Sequence, residues 1–214
     1  FKKYSVFQFL FSGHIFYEFL IKYLKIPGQI VTYERYKGTL EILFNSRINS
    51  YLIVIYSLIY KLVIDYFLII VYLGVGIFLF DIKIHFDFLI FMQFNLIVLI
   101  SIIFIVSFGM LGASMIVLFK KLDFITSGLI YFSLLAGGVY FPNEYLPKFI
   151  LIFLYIFPIN ELIMAFRELF FSGIFNYEIL IKLIAYISFL TPFSLLIFSF
   201  AVKLSKKYNT LNVY

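Results

Sequence analysis

The chain has 214 residues, of which 64% are hydrophobic and 13% are charged, and its formal net charge is +6. A soluble domain carries about 25% charged and about 45–50% apolar residues, so this chain is too apolar to cover a water-facing surface. The composition predicts an all-α polytopic membrane protein. The absence of cysteine excludes disulfides, thiolate metal sites and cysteine nucleophiles.

Five apolar runs are predicted as transmembrane helices, because about 20 helical residues cross a hydrocarbon core of about 30 Å. They cover residues 4–24, 55–80, 88–119, 124–140 and 179–202. We therefore expect one membrane domain over residues 1–214. The third run carries small residues that permit close helix packing: Ser107, Gly109, Gly112 and Ser114. Pro192 predicts a kink in the last run.

The segment over residues 26–47 follows the first run, and its residues 32–47 are the most polar stretch of the chain. Ile26-Pro27-Gly28 predicts the end of the first helix, because proline disrupts a helix interior. Gly38 predicts a break between two short helical pieces, with Thr39 as the cap of the second. The second piece has apolar residues at positions i, i+3 and i+4: Leu40, Leu43 and Phe44. This spacing predicts an amphipathic helix along the membrane surface.

Charged residues also occur inside the apolar runs. Lys61 and Asp65 stand four residues apart on one helix face, which predicts an intramembrane charge pair. A charge at mid-bilayer costs at least about 2.5–3.5 kcal/mol, so we favour a paired position near the interface over a transport relay. The first run has a similar series on one face: His14, Glu18 and Lys22. With only two histidines in the chain, no metal site is predicted.

The segment between the last two runs, residues 141–171, does not fit a single span. Residues 148–157 form an apolar run that is too short to cross a bilayer, and residues 160–171 predict a second short helix. Prolines bound these pieces: Pro142, Pro147 and Pro158. Two short helices between spans are typical of a re-entrant or interfacial hairpin.

Lysine and arginine in the joints predict the orientation in the membrane. With the polar segment in the cytoplasm, the inside joints hold eight basic residues: Arg35, Lys37, Arg47, Lys120, Lys121, Lys203, Lys206 and Lys207. The outside joints then hold five: Lys2, Lys3, Lys83, Lys148 and Arg167. The excess places the polar segment on the cytoplasmic side and the start of the first run outside.

Two motifs resemble those of one family. Residues 34–41 read Glu-Arg-Tyr-Lys-Gly-Thr-Leu-Glu, which is similar to the E-R-x-x-G-T-L-E pattern of ABC-2 type permeases, the membrane subunits of ABC exporters. A second series resembles the family's G-V-x-F-P, L-P, N-P and x-x-R elements, although Phe157 stands in place of the asparagine. Together the matches cover about residues 4–202. The family has six spans, so a first span ahead of Phe1 would complete the pattern.

The resemblance implies how the parts work. The first motif would form the cytoplasmic element that couples to an ATPase: Glu34, Arg35, Lys37, Gly38, Thr39, Leu40 and Glu41. The second would form an extracellular re-entrant element that caps the pathway: Gly138, Phe141, Pro142, Pro147, Pro158 and Arg167. The chain would be an export permease of the cell membrane for a hydrophobic or amphipathic substrate, of the drug, lipid or polysaccharide class.

The resemblance also implies partners. No G-x-x-x-x-G-K-[ST] phosphate-binding loop occurs in the sequence, so ATP and Mg²⁺ are expected on a separate ABC ATPase subunit and no cofactor is expected on this chain. A second permease chain, identical or different, would complete the transporter in the lipid bilayer. No nucleic-acid partner is expected.

Two other classes are less well supported. A secondary transporter or channel, the main alternative, would need charges that face a cavity and often an internal repeat. No repeat is visible, and the candidate charges pair locally. An intramembrane enzyme would need a cluster of catalytic side chains, which two histidines and scattered serines do not supply.

The predicted orientation can be tested with single cysteines, because the chain has none of its own. Lys121→Cys is expected to resist a membrane-impermeant thiol reagent added to intact cells, because Lys120-Lys121 lies in a cytoplasmic joint. The same residue should react once the membrane is opened. Labelling from outside would contradict this topology.

Overall fold

The computed structural model describes residues 5–46, 49–82, 84–85, 87–119, 124–142, 146–148, 150, 152, 154 and 158–208. Within these residues the chain is helical and has no strand. Seven helices have both ends described: α1 (Val6–Tyr36), α2 (Leu40–Asn45), α3 (Ser50–Phe80), α4 (Phe88–Phe119), α5 (Phe124–Ala136), α6 (Ile159–Ser172) and α7 (Tyr177–Lys207). The all-α fold class is therefore confirmed for the described part of the chain.

Three of these helices are long and apolar enough to cross a membrane: Tyr51–Phe80, Phe88–Phe119 and Tyr177–Lys207. They coincide with the runs predicted at 55–80, 88–119 and 179–202. The other two spans, predicted at 4–24 and 124–140, are not among them and stay predictions. Most of the run at 148–157, and the joints with Arg47, Lys83 and Lys120-Lys121, lie outside the described residues.

The predicted helix end at Ile26-Pro27-Gly28 is wrong, because α1 continues through Pro27 to Tyr36. Proline lacks a backbone N–H and crowds the preceding turn, which costs a helix about 3 kcal/mol or more. Here tertiary packing offsets that cost. The buried Pro27 ring faces Gly109 of α4, where an added Cβ would lie 3.0 Å from the Pro27 Cγ.

The helix predicted at 124–140, in contrast, ends before its predicted last residue. Its last helical residue is Ala136, and Gly138 adopts a left-handed conformation with φ 70°. Glycine reaches this region without the strain that a Cβ introduces. The chain therefore leaves the helix at Gly137, and residues 138–142 form an irregular connection that carries part of the second motif.

The chain forms two compact units. The first consists of Phe1–Leu20, Asp65–Ser101 and Gly128–Ile184, and the second of Ile21–Ile64, Ile102–Ser127 and Ala185–Tyr214. The four longest helices contribute residues to both units. The single membrane domain over residues 1–214 stays a prediction.

Stacked aromatic rings form the core of the first unit. The rings of Phe16 and Phe166 lie parallel with centroids 4.2 Å apart, and Phe94 meets Phe170 edge-on at 5.2 Å. Such pairs contribute about 0.5–1.5 kcal/mol beyond the area that they bury. The backbone N–H of His85 donates to the Phe170 carbonyl at 2.8 Å, so the α3–α4 joint is tied to α6.

Small residues allow close packing in the second unit, as predicted for α4. A Cβ at Gly109 would lie 2.6 Å from the Leu24 carbonyl oxygen of α1, and one at Gly112 would lie 2.5 Å from the Thr126 hydroxyl. Ser107 and Thr191 join α4 to α7 through a hydrogen bond between their hydroxyls at 2.9 Å. These contacts confirm the packing role of this stripe.

Gly109→Ala is expected to lower stability by about 1–3 kcal/mol, because its Cβ would overlap backbone atoms of α1. Gly74→Ala of α3 is the matched control, because no atom lies within 4 Å of its added Cβ. It should not lose stability, since alanine exceeds glycine in helix propensity by about 1 kcal/mol. Thermal unfolding in detergent, followed by circular dichroism, measures both. Equal effects would contradict the close approach of α1 and α4.

Candidate functional site

The predicted coupling motif is a tight turn between α1 and α2. Gly38 sits at φ 71°, in the left-handed region. The Gly38 N–H donates to the Arg35 carbonyl and the Thr39 N–H to the Glu34 carbonyl, both at 3.0 Å. This is the way glycine commonly ends a helix. The predicted break at Gly38 between two helical pieces is thus confirmed.

The prediction that Thr39 caps α2 is wrong. Thr39 precedes α2, but its side chain makes no capping bond to that helix. Its hydroxyl instead donates backward to the Glu34 carboxylate and lies 3.3 Å from the Glu34 carbonyl oxygen. Threonine often bonds to nearby groups in this way, in competition with a cap. The Glu34 carboxylate is therefore part of the turn.

Arg35 points inward, with 7% of its surface exposed. Its Nη1 donates to the Ile116 carbonyl at 3.0 Å and its Nη2 to the Val117 carbonyl at 3.2 Å. Both carbonyls belong to the last turn of α4, where a helix leaves four carbonyls without intrahelical partners. A cation at a helix C-terminus also interacts favourably with the helix dipole. Arg35 therefore fixes the end of α1 to the end of α4.

Burial lowers the pKa of Arg35 from its usual value. The guanidinium nevertheless keeps its charge, because arginine is not deprotonated in proteins. The neighbouring Lys37 differs. A hydrogen bond with Tyr33 raises the pKa of Lys37, and its ammonium lies 4.3 Å from the centre of the Tyr33 ring.

The outer face of this corner combines charge with apolar side chains. Its exposed residues, the corner face, are Tyr33, Tyr36, Lys37, Glu41 and Ile42. Tyr36 and Ile42 are 83% and 72% exposed, so this face presents large apolar side chains beside charged ones. The inner face of α2 buries Leu40 and Phe44, so the predicted amphipathic character of α2 is confirmed.

The last turns of α7 also reach this corner, which sequence reasoning missed. Ser205 Oγ donates to the Val117 carbonyl at 3.1 Å, and Lys206 Nζ donates to the Phe44 carbonyl. The sequence presents Lys206 as one of three similar lysines in a basic tail. Only the half-buried position of its side chain distinguishes it from exposed Lys203 and Lys207.

The second motif is centred on Arg167 of α6, which is 2% exposed. Its Nη1 donates to the Gly138 carbonyl at 2.8 Å, and its Nη2 to the carbonyls of Phe9 at 2.7 Å and Val139 at 3.2 Å. Its Nε donates to Ser12 Oγ at 3.2 Å, and the guanidinium carbon lies 3.7 Å from the centre of the Phe9 ring. Arg167 thus joins α6, α1 and the segment after α5.

Gly13 of α1 leaves space for the Arg167 side chain, a role that the sequence analysis did not predict. A Cβ at Gly13 would lie 2.1 Å from Arg167 Nη2 and 2.8 Å from the Val139 carbonyl oxygen. Only the absence of a side chain lets the guanidinium pass α1 at this point. Ser12 was missed as well. A glycine next to a serine in an apolar run is common, so the sequence carries no clear signal for either residue.

The remaining residues of the second motif separate into two groups. Gly138, Pro142 and Arg167 line a cavity of about 100 Å³ with Phe9, Asn160, Met164 and Glu168. Phe141 and Pro147 are exposed. Pro158 is buried and directly precedes α6, where a missing N–H costs nothing. An ion pair between Glu161 and Lys182 joins α6 to α7.

The charges predicted inside the runs have different surroundings. Asp65 is buried and Lys61 is half-buried, and they belong to different units, so their pairing stays a prediction. His14 and Glu18 are exposed, and the Tyr140 hydroxyl lies 3.4 Å from His14 Nδ1. Within the described residues, no three histidine or acidic side chains are grouped so that they could hold a metal ion.

Comparison with known proteins identifies one family. The family model described as ABC-2 type transporter matches residues 6–171, which is more than half of the chain. The matched range contains both motifs and ends before α7. No curated protein and no solved structure matches the chain.

Arg35→Met is expected to lower stability by about 1–3 kcal/mol, because it removes the Arg35 donors from the buried carbonyls of Ile116 and Val117 and leaves Val117 with Ser205 alone. Lys37→Met, two residues further along, removes an exposed charge and should leave stability unchanged. Arg35→Lys should give an intermediate loss, since an ammonium cannot reproduce the fork of two donors. The measurement is chemical unfolding in detergent. An Arg35→Met chain as stable as the Lys37→Met chain would contradict the anchoring of α1 to α4.

Proposed function

The chain belongs to the ABC-2 type transporter family, and we propose that it forms the export pathway of a transporter driven by ATP hydrolysis on a separate subunit. The family match makes the chain a permease, a membrane transport component that is not itself catalytic. Its long apolar helices agree with that role. The coupling to an ATPase and the class of substrate are the further steps of the proposal.

The corner face is the surface that would enter a groove of the ATPase. Exposed Tyr36 and Ile42 supply apolar contact area, and Lys37 and Glu41 supply charge beside them. Protein interfaces commonly have an apolar or aromatic centre with a polar rim. This combination of exposed apolar and charged side chains on one short helix and its turn is the observation that carries the proposal.

The turn between α1 and α2 would transmit a displacement to the membrane helices, because buried contacts hold both helices in place. Arg35 joins the end of α1 to α4, and the buried Leu40 and Phe44 seat α2. Gly38 sets the angle between α1 and α2. A push on α2 would therefore move the helix ends rather than bend a loop, and access would alternate by rigid movements of the spans.

The hydrogen bonds of Arg167 would keep the re-entrant element in place. Arg167 of α6 binds three main-chain carbonyls from two other segments, so α6 and the residues after α5 are tied to α1. Such a buried network resists local opening because every lost bond leaves a desolvated group. We propose that this element caps the pathway without touching the ATPase.

The substrate is proposed to be hydrophobic or amphipathic, of the drug, lipid or polysaccharide class that the family resemblance implies. A second permease chain and an ABC ATPase that holds ATP and Mg²⁺ would complete the assembly in the cell membrane. The exposed apolar side chains of α3, such as Tyr60 and Phe67, fit contact with lipid or with that second chain.

Ile42→Asp and Glu41→Ala are expected to weaken capture of the ATPase by the membrane-embedded permease. Glu41→Ala would remove one partner of a charge pair with the ATPase, which costs about 2 kcal/mol or more if the pair is buried, or about 30-fold in Kd. Ile42→Asp would place a charge in the apolar part of the contact. Glu178→Ala is the control, because Glu178 is also exposed but belongs to the other unit. The measurement is a titration of ATPase binding to permease in lipid nanodiscs.

Gly38→Val tests the angle of the same corner. The position has no atom within 4 Å of an added Cβ, so the strain comes only from its positive φ and costs about 1–3 kcal/mol. Gly38→Asn is the matched control, because asparagine tolerates this conformation. If Gly38→Val, Ile42→Asp and Glu41→Ala all bind the ATPase like the unchanged chain and support its hydrolysis and export, the corner is an ordinary loop.

A further inference from the structure

Phe44 of α2 contacts α7 through both its side chain and its main chain. Its ring meets the Phe198 ring edge-on with 6.2 Å between the centroids. Its carbonyl accepts a hydrogen bond from Lys206 Nζ at 2.5 Å. The neighbouring Ser205 bonds to the Val117 carbonyl of α4. All three α7 residues lie beyond the range that the family model matches.

The helix α2 needs such support. It has six residues, and helices this short do not persist by themselves. Its C-cap residue, Ser46, is extended at φ −62° and ψ 160°, so no left-handed turn closes the helix. Ser46 Oγ donates to the Leu43 carbonyl at 2.7 Å, and Lys206 Nζ donates to the next carbonyl, that of Phe44. The ammonium also lies at the negative end of the helix dipole.

Lys206 is specific among the lysines at the end of α7. Lys203 and Lys207 are four residues apart and exposed, so they share an outer face. Lys206 is half-buried and turned toward α2. A general attraction between a basic tail and its surroundings would not select one lysine in this way. The neighbouring lysines therefore provide matched controls of the same type in the same helix.

We propose that Lys206 is a positioning residue that fastens the C-terminal end of α2 to α7, so that the two move as one. The chain itself joins α2 to α1 and α3, whereas Lys206 and Phe198 add a connection to the last helix. A displacement of α2 by the ATPase then reaches α7 directly. This consequence rests on the proposed function, but the link itself is a property of the chain alone.

The link is tested in the full chain, in lipid nanodiscs without any ATPase. Spin labels are placed on Asn45→Cys of α2 and Lys203→Cys of α7, both exposed positions in a chain without native cysteine. Labelled chains are diluted with unlabelled ones so that each distance is measured within one molecule. The distance distribution between labels is recorded for the parent chain, Lys206→Met, Lys206→Arg and Lys207→Met.

The parent chain is expected to give one narrow distance, and Lys206→Met to lose it in favour of a broad distribution. Methionine keeps the apolar stem but cannot donate to the Phe44 carbonyl. Lys206→Arg should restore the narrow distance, and Lys207→Met should match the parent. The proposal is overturned if Lys206→Met keeps the parent distribution, or if Lys207→Met broadens it equally.

A second measurement tests whether the connection between α2 and α7 transmits movement from the ATPase. The same labelled chains are assembled with the ATPase, and the distance is recorded before and after addition of ATP and vanadate. The α2–α7 distance should stay constant in the parent chain and shift in Lys206→Met. An equal shift in both chains overturns joint movement. An ATPase that does not bind the parent chain refutes the proposed function, and the measurement without ATPase still decides whether Lys206 forms the link.

Discussion

The structure depends on how an apolar chain satisfies the main-chain carbonyls at its helix ends and irregular turns. Each helix leaves its last carbonyls without partners, and in apolar surroundings an unpaired polar group costs several kcal/mol. Arg35, Arg167 and Lys206 all direct their charge at such carbonyls. A cation is suited to this task because it carries several donors and no acceptor. In this chain, basic side chains thus connect helices through the backbone.

This use of charge explains why the two motifs are rigid. A guanidinium that binds two or three carbonyls fixes both the distance and the orientation of the segments involved. Arg35 does so for α1 and α4, and Arg167 for α1, α6 and the residues after α5. Removing Arg167 would take a donor from three carbonyls and one hydroxyl at once. Removing Arg35 would take one from the Ile116 and Val117 carbonyls, of which Val117 keeps Ser205. We therefore expect stability and transport to be difficult to separate at these two residues, and easier to separate at the exposed corner face.

Much of the fold follows from hydrophobic runs and the charged joints between them. Both bounds of α4 and the end of α3 were predictable because each run is mostly apolar and ends at polar residues, whereas α3 begins at Ser50, five residues before the predicted start. Pro27 was misread because local propensity predicts a break, whereas packing against Gly109 stabilises the continuous helix. The motif residues were identified by resemblance. Their orientation was not predictable, because neither spacing nor composition distinguishes an inward arginine from an exposed one.

The contacts of the second unit bear on the orientation of the chain. Arg35 brings the end of α1 to the end of α4, Ser205 brings the end of α7 to the same turn, and Lys206 brings it to α2. Three helix ends that share hydrogen bonds must lie at the same membrane surface. The count of lysine and arginine grouped the polar segment, the Lys120-Lys121 joint and the basic tail on one side. The hydrogen bonds bring the ends of α1, α4 and α7 together, which agrees with the side that the charge count predicts for the polar segment and the basic tail. If that shared surface is cytoplasmic, an ATPase bound at the corner face would act on α1, α2, α4 and α7 together.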